Sequence, residues 1–295
     1  ARSITRAAAW RPARSPSKQS VGSGWLRQRI SIWSSPSAVP IALVPNNEFA
    51  LGQNHNEFPS LGISPNGTLG YAWHRGACCG GFSPINAPNK VMFARSTDGG
   101  ATFPYSTTIV TVPLARTVPF NSTSPYGTRW SDTPNIAADP GPGHNGWFYA
   151  IWTQYRVDNT PGSAAIYLSR TTDNGATWSA PVIPYNNPNQ NIFQGFGWVK
   201  VTNDGTVHLT YHGGTTSNTV ASQFYVQSTD GGTSWTAPFQ LPAGTYSGFG
   251  STTDYIANDV TVANGPGAIL ATWNQNTHNA RIGLFVQGTP TPTFT

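Results

Sequence analysis

The chain has 295 residues, of which 9% are charged against about a quarter in an average protein, with 31 Gly, 25 Pro and 11 Trp. That composition suits one large turn-rich all-β domain or two small ones, and it excludes a disordered chain, which needs high charge and few aromatics. The net charge of +5 is concentrated in Arg2, Arg6, Arg11, Arg14, Lys18, Arg27 and Arg29. From residue 30 onward seven Arg and two Lys face eleven Asp or Glu, so the body carries no expectation of a nucleic-acid partner. No apolar run approaches the roughly 20 residues of a membrane span.

Residues 1–31 are basic and rich in Ser, Arg and Ala, without alternation or repeat, and read as an irregular extension. Arg6 and Arg11 flank only Ala7-Ala8-Ala9-Trp10, too short for the apolar run of a secretory signal. Ile32–Val44 then reads as a lone outer strand, since Trp33-Ser34-Ser35-Pro36 matches Trp178-Ser179-Ala180-Pro181 and Trp235-Thr236-Ala237-Pro238. Four inner strands are expected at Phe58–Ile63, Pro134–Ala138, Gly197–Val201 and Ile256–Val262. A tight turn follows each, and a second, aromatic-rich strand comes next: Leu69–Trp73, Trp147–Trp152, Val207–Tyr211 and Ile269–Trp273. Third strands are expected around Val91-Met92-Phe93, Ile166-Tyr167-Leu168, Phe224-Tyr225-Val226 and Leu284-Phe285-Val286.

Behind the first three of these third strands stands one phrase: Ser96-Thr97-Asp98-Gly99-Gly100-Ala101-Thr102-Phe103, Thr171-Thr172-Asp173-Asn174-Gly175-Ala176-Thr177-Trp178, and Ser228-Thr229-Asp230-Gly231-Gly232-Thr233-Ser234-Trp235. A phrase recurring every few tens of residues marks a repeat architecture. Asp-Gly-Gly and Asp-Asn-Gly supply the positive φ of a tight turn, and the carboxylate can accept hydrogen bonds from the turn's own amides. The earlier Ser or Thr can brace that carboxylate, and the final aromatic can plug the core. Four antiparallel strands per unit describe a β-propeller blade. The units run over about 57–112, 130–184, 194–243 and 254–290, inside a propeller of 32–295. The strand at 32–44 can supply the outer strand that the last unit lacks, and a ring of four to six blades, complete or truncated, fits the repeats.

The phrase resembles the Asp-box, or bacterial-neuraminidase repeat, of the sialidase-like β-propellers. The resemblance implies a structural role for Ser96, Asp98, Gly100, Asp173, Gly175, Trp178, Ser228, Asp230, Gly232 and Trp235. It also implies a carbohydrate-active or carbohydrate-binding protein working outside the cell, because Asp-boxes occur in glycosidases, lyases, lectins and receptors alike.

In an up-and-down blade the turns after strands one and three share one end. Strand-one starts and strand-two exits share the other, where the long loops also fall. That end carries Glu57, Asp132 and Asp254 before inner strands, with Gln194-Gly195-Phe196 breaking the pattern in the third unit. It also carries His55, Trp73, His74, Arg75, Arg129, Tyr155, Arg156 and His212. Carboxylates serve acid–base work, Arg pairs with anionic sugars and aromatic faces stack on pyranose rings.

Sialidase resemblance implies an arginine triad, a Tyr–Glu nucleophile pair, an Asp acid/base and an Arg-Ile-Pro motif. No Arg-Ile-Pro is present, and Glu48 and Glu57 are the only Glu residues, so that set is incomplete here. Asn54-His55-Asn56 followed by Tyr71-Ala72-Trp73-His74 resembles a blade of propeller polysaccharide lyases, including ulvan lyases. That resemblance implies β-elimination through His, Tyr and Arg. A lectin-like propeller without turnover is the third alternative. Cys78-Cys79 are neighbours and allow either a strained vicinal disulfide or two thiols in a glycine-rich loop. No cluster has metal-site spacing and no glycine pair sits between strand and helix, so neither a metal nor another cofactor is expected.

Overall fold

A computed structural model describes the backbone of residues 55–76, 89–113, 134–156, 164–185, 192–215, 220–240, 246–247, 258–262, 268–275 and 279–286. It describes side chains within 59–76, 89–113, 134–156, 164–185, 194–213 and 222–240. The extension 1–31, the strand expected at 32–44, Asp132, Arg129, Asp254, Cys78 and Cys79 lie outside the described residues.

The first sheet is a meander of β1 (His55–Ile63), β2 (Leu69–Gly76), β3 (Asn89–Ser96) and β4 (Tyr105–Val112), hydrogen-bonded in sequence order. The second holds β5 (Asn135–Ala138), β6 (Phe148–Tyr155) and β7 (Ala164–Thr171), and the third β8 (Ile192–Val201), β9 (Val207–Thr215), β10 (Val220–Ser228) and β11 (Phe239–Gln240). A short β12 (Tyr246–Ser247) also pairs with β10. The fourth sheet is β13 (Asn258–Val262), β14 (Ala268–Gln275) and β15 (Asn279–Val286). All described ladders between named strands are antiparallel, as expected for blades.

Outer strands vary in length, and proline sets the limit, because it has no N–H to give the ladder. Pro104 and Pro113 bracket the eight residues of β4. Pro181 and Pro184 leave the second blade one bridge, Val182 with Leu168, in place of an outer strand. Pro238 and Pro242 confine β11 to two residues.

The blades pack face to face, so their middle strands are buried on both sides. Ala72 and Phe93 of the first blade meet Ile136, Phe148 and Ala150 of the second in one core cluster. Tyr149, Ile151, Ile166 and Leu168 meet Val199, Val207, Leu209 and Tyr211 of the third in another. Removing a large apolar side chain such as Phe148, Ile151 or Leu168 from water contributes about 1.5–3 kcal/mol. Inner strands β1, β5, β8 and β13 follow one another in contact. Polar side chains stitch the first three together. Ser60 Oγ accepts from Asn135 Nδ2 at 2.9 Å and from the Ile136 amide at 3.0 Å, while Asn135 Oδ1 accepts from the Val199 amide at 2.8 Å.

The repeated phrase forms the same closed turn three times. Ser96 Oγ donates to Asp98 Oδ1 at 2.6 Å and accepts from the Gly100 amide at 2.8 Å; the Asp98 carboxylate then accepts from the Thr102 amide and hydroxyl at 2.9 and 2.6 Å. Thr171, Asp173, Gly175 and Thr177 repeat these contacts, as do Ser228, Asp230, Gly232 and Ser234. Left-handed φ falls on the expected pairs: Gly99 and Gly100 at 72° and 89°, Asn174 and Gly175 at 60° and 82°, Gly231 and Gly232 at 69° and 87°. The closing aromatics pack inward, with Trp178 edge-on to Phe93 at 5.2 Å and Trp235 against the core between the second and third blades.

The second and third turns also dock on the blade before them. Arg95 Nη1 donates to Asn174 O at 2.8 Å with its guanidinium over the Tyr105 ring at 4.3 Å. Arg170 Nη1 donates to Gly231 O at 2.6 Å, its guanidinium 5.4 Å from the Trp147 ring centroid. In the third blade this place is held by Gln227, which accepts from Tyr225 Oη at 2.8 Å instead. The following blade is the one whose sequence lacks the box aspartate.

Candidate functional site

The three box carboxylates are saturated by local donors, and their chemistry follows. Hydrogen bonds from Ser96 and Thr102 hold Asp98 far below the usual carboxylate range, and those from Ser234 and Ser228 do the same to Asp230. At Asp173 burial pushes upward, but donors from Thr177 and Thr171 outweigh it and leave the group at about 2. Such groups stay ionised and fully engaged; they brace turns and have no proton to trade.

At the opposite end of the blades the register assembles part of the expected set. The β1–β2 ladder pairs Glu57 with His74, Asn56 with Arg75 and His55 with Gly76. Positions 55, 57 and 74 therefore form one cross-strand row, with Glu57 and His74 directly opposite. Directly opposed positions of adjacent antiparallel strands are nearest neighbours across the ladder. A two-residue bulge, Phe58-Pro59, interrupts the ladder just after this row and re-aims the strand at the mouth of the blade. His74 is buried, at 2% exposure, whereas Arg75 is partly exposed and stands opposite Lys90 in the β2–β3 ladder.

In the second blade Tyr155 closes β6 partly exposed and Arg156 follows it, buried. In the third blade His212 is buried and lies opposite Gly195, so it holds the place that His74 holds in the first. Glycine thus stands where Glu57 stands, and the third blade brings no carboxylate to this position. The expectation of a stacking face at Trp73 is corrected: its ring is 4% exposed and lies 5.2 Å from Tyr71 of the same strand. Its neighbours alternate along a strand that is buried on both sides, so an aromatic there is core.

Sequence reasoning missed three features of this end. Gln194 is buried and bridges blades, accepting from the Ile166 amide at 3.2 Å and donating to Tyr185 O at 3.1 Å. Gln223 lies opposite His212 in the β9–β10 ladder, 1% exposed, and neither its Nε2 nor its Oε1 has a hydrogen-bond partner. Phe196 holds φ of 49° inside a bulge between Gly195 and Trp198, its ring edge-on to His212 at 6.2 Å and 90°. The repetition of a Phe one residue after the acid position, in Phe58 and Phe196, was the available signal.

Among the described residues no group of three or more His, Cys, Asp or Glu is placed to hold a metal ion, and no helix is long and apolar enough to cross a membrane.

No protein-family model and no curated protein sequence matches this chain. Among solved structures it is similar to a Hadza microbial sialidase, with a TM-score of 0.57 and 15% identity over 81% of this chain and 46% of that one. An ulvan lyase, described as a new family of polysaccharide lyase, aligns at a TM-score of 0.49 and 13% identity over 81% of this chain and 55% of that one. A Trypanosoma rangeli sialidase aligns at a TM-score of 0.47 and 11% identity, over 81% and 37% of the two chains. The chain thus spans about half the length of the first two, 46% and 55%. The likeness to the Hadza sialidase shows the fold alone, a β-propeller.

Proposed function

We propose that this chain is a carbohydrate-active propeller that works outside the cell on anionic glycans, at the end where inner strands start and second strands finish. The observation that carries this reading is the cross-strand pairing of Glu57 with His74, with His55 at the next position of the same row. A carboxylate beside an imidazole can pass a proton to a leaving sugar oxygen or take one from a sugar carbon. Arg75, Arg129 and Arg156 are the cations for a sugar carboxylate and Tyr155 a further sugar-binding group, while Asp132 and Asp254 complete the acid–base complement. Glycoside hydrolysis of the exo-sialidase type is the first reaction assigned to it, with the catalytic set on this chain incomplete.

The row of His55 and His74 favours a second reaction, β-elimination from a uronate. A histidine removes the proton α to the carboxylate, an arginine neutralises the enolate-like charge, and the glycosidic oxygen leaves as the double bond forms.

The experiment is one panel of sialyllactose, ulvan and arabinan incubated with the full chain. Released sialic acid supports hydrolysis, and ultraviolet absorbance of an unsaturated uronate supports elimination. Retention on the immobilised glycan without product reduces the site to a lectin-like one. Turnover unaffected by Glu57→Gln and His74→Ala overturns the assignment of this row.

A further inference from the structure

Two features of the third blade are costly, a strained backbone at Phe196 and an unpartnered amide at Gln223. Phe196 is a bulky residue in the left-handed region, at φ 49°, where side chains with a Cβ rarely sit. Such strain persists where the surroundings enforce it and clusters at ligand clamps. Gln223 is 1% exposed with both polar atoms of its amide unpartnered, the arrangement that folded proteins avoid unless water or a ligand completes it. The two converge on one residue, since Phe196 packs edge-on against His212 at 6.2 Å and Gln223 stands opposite His212 in the ladder. Thr210, on the same side of β9, also has a buried hydroxyl without a partner.

We infer that the mouth of the third blade is a sugar-ring subsite, in which the partly exposed Phe196 ring stacks on the apolar face of a pyranose and the Gln223 amide engages hydroxyls of that ring. A primary amide offers one donor group and one acceptor, which matches two adjacent hydroxyls, each both donor and acceptor. Gly195 stands where the first blade has Glu57, so the subsite has no carboxylate at that position and takes a neutral sugar unit. The first blade, which carries Glu57, and this sector without a carboxylate would then hold successive units of one glycan. The inference rests on the carbohydrate reading above and deepens it.

The test compares the full chain with Phe196→Gly, Phe196→Tyr and Gln223→Leu, by thermal melting and by retention on immobilised sialyllactose, ulvan and arabinan. Glycine accepts the left-handed conformation freely and leucine needs no hydrogen-bond partner. Phe196→Gly and Gln223→Leu are therefore expected to melt at or above the parent temperature yet bind about tenfold more weakly, the size of a lost aromatic contact or buried hydrogen bond. Phe196→Tyr is expected to bind like the parent. A structural role predicts the opposite pairing: lower melting and unchanged retention per folded molecule. That outcome overturns the subsite while leaving the carbohydrate reading intact. Absence of retention and turnover by the parent chain on all three glycans overturns both.

Discussion

The two ends of these blades solve opposite problems. At the box end the three carboxylates are satisfied locally: Asp98, Asp173 and Asp230 accept from hydroxyls and amides within their own turns, and the second and third turns dock through Arg95 and Arg170 on the neighbouring blade. At the other end a strained Phe196 and an unpartnered Gln223 are kept beside His212. The box carboxylates are engaged within their own turns, whereas the amide of Gln223 at the other end is not engaged by its surroundings.

The largest expected effect breaks the box end. In the second box Gly175 has φ of 82°, and an added Cβ would collide with the Phe93 ring of the first blade. Gly175→Ala combines backbone strain with overpacking, and its unfolding free energy by chemical denaturation should fall by about 4 kcal/mol.

Next comes a pH dependence. His208 is buried, with Nδ1 2.7 Å from Tyr225 Oη and Nε2 3.0 Å from Thr202 Oγ1, which in turn donates to Asp204 Oδ1. Burial lowers its pKa from 6.5 to about 4, against a smaller upward pull from Asp204. A depressed folded pKa means that the unfolded chain binds the proton first as pH falls. The contribution is thus fully present above about 6.5 and lost between there and about 4. It amounts to something on the order of 3 kcal/mol. Denaturation curves across that range should show stability rising with pH, and His208→Gln should flatten the rise.

The docking arginines sharpen the contrast between blades. Arg170→Ala removes a charged donor from Gly231 O and should cost about 2 kcal/mol, whereas Gln227→Ala should cost less than about 1 kcal/mol. Smallest is Asp173→Asn, expected to lower the melting temperature by a few degrees near neutral pH. The Asp173 contribution is present above the unfolded value of 3.8 and lost as pH falls toward about 2, so the variant and parent should converge in acid.

Much of the fold was legible because its signals are local. Left-handed φ is required within the box itself, and Asp-Gly-Gly or Asp-Asn-Gly states it outright. Prolines such as Pro181 and Pro184 fix how long an outer strand can be. The blade-to-blade docking was not read from the sequence and came from the structure, which sets Arg95 and Arg170, directly ahead of Ser96 and Thr171, on the next turn. The site was less legible because it depends on register. A bulge shifts the ladder between Glu57 and Ser60 and again between Gly195 and Trp198, and only the paired partner reveals that Glu57 meets His74 while Gly195 meets His212. Burial misled at Trp73, since an aromatic beside a strand exit reads the same in sequence whether it is exposed to sugar or buried in the core.

The division between the ends is tested most directly by two variants measured side by side, Asp230→Asn and Glu57→Gln, each for melting temperature and for turnover or retention on the three-glycan panel. The account predicts that Asp230→Asn melts earlier yet acts on glycan like the parent per folded molecule, and that Glu57→Gln melts like the parent and loses turnover or retention. Loss of glycan activity in folded Asp230→Asn, with Glu57→Gln active, would contradict it.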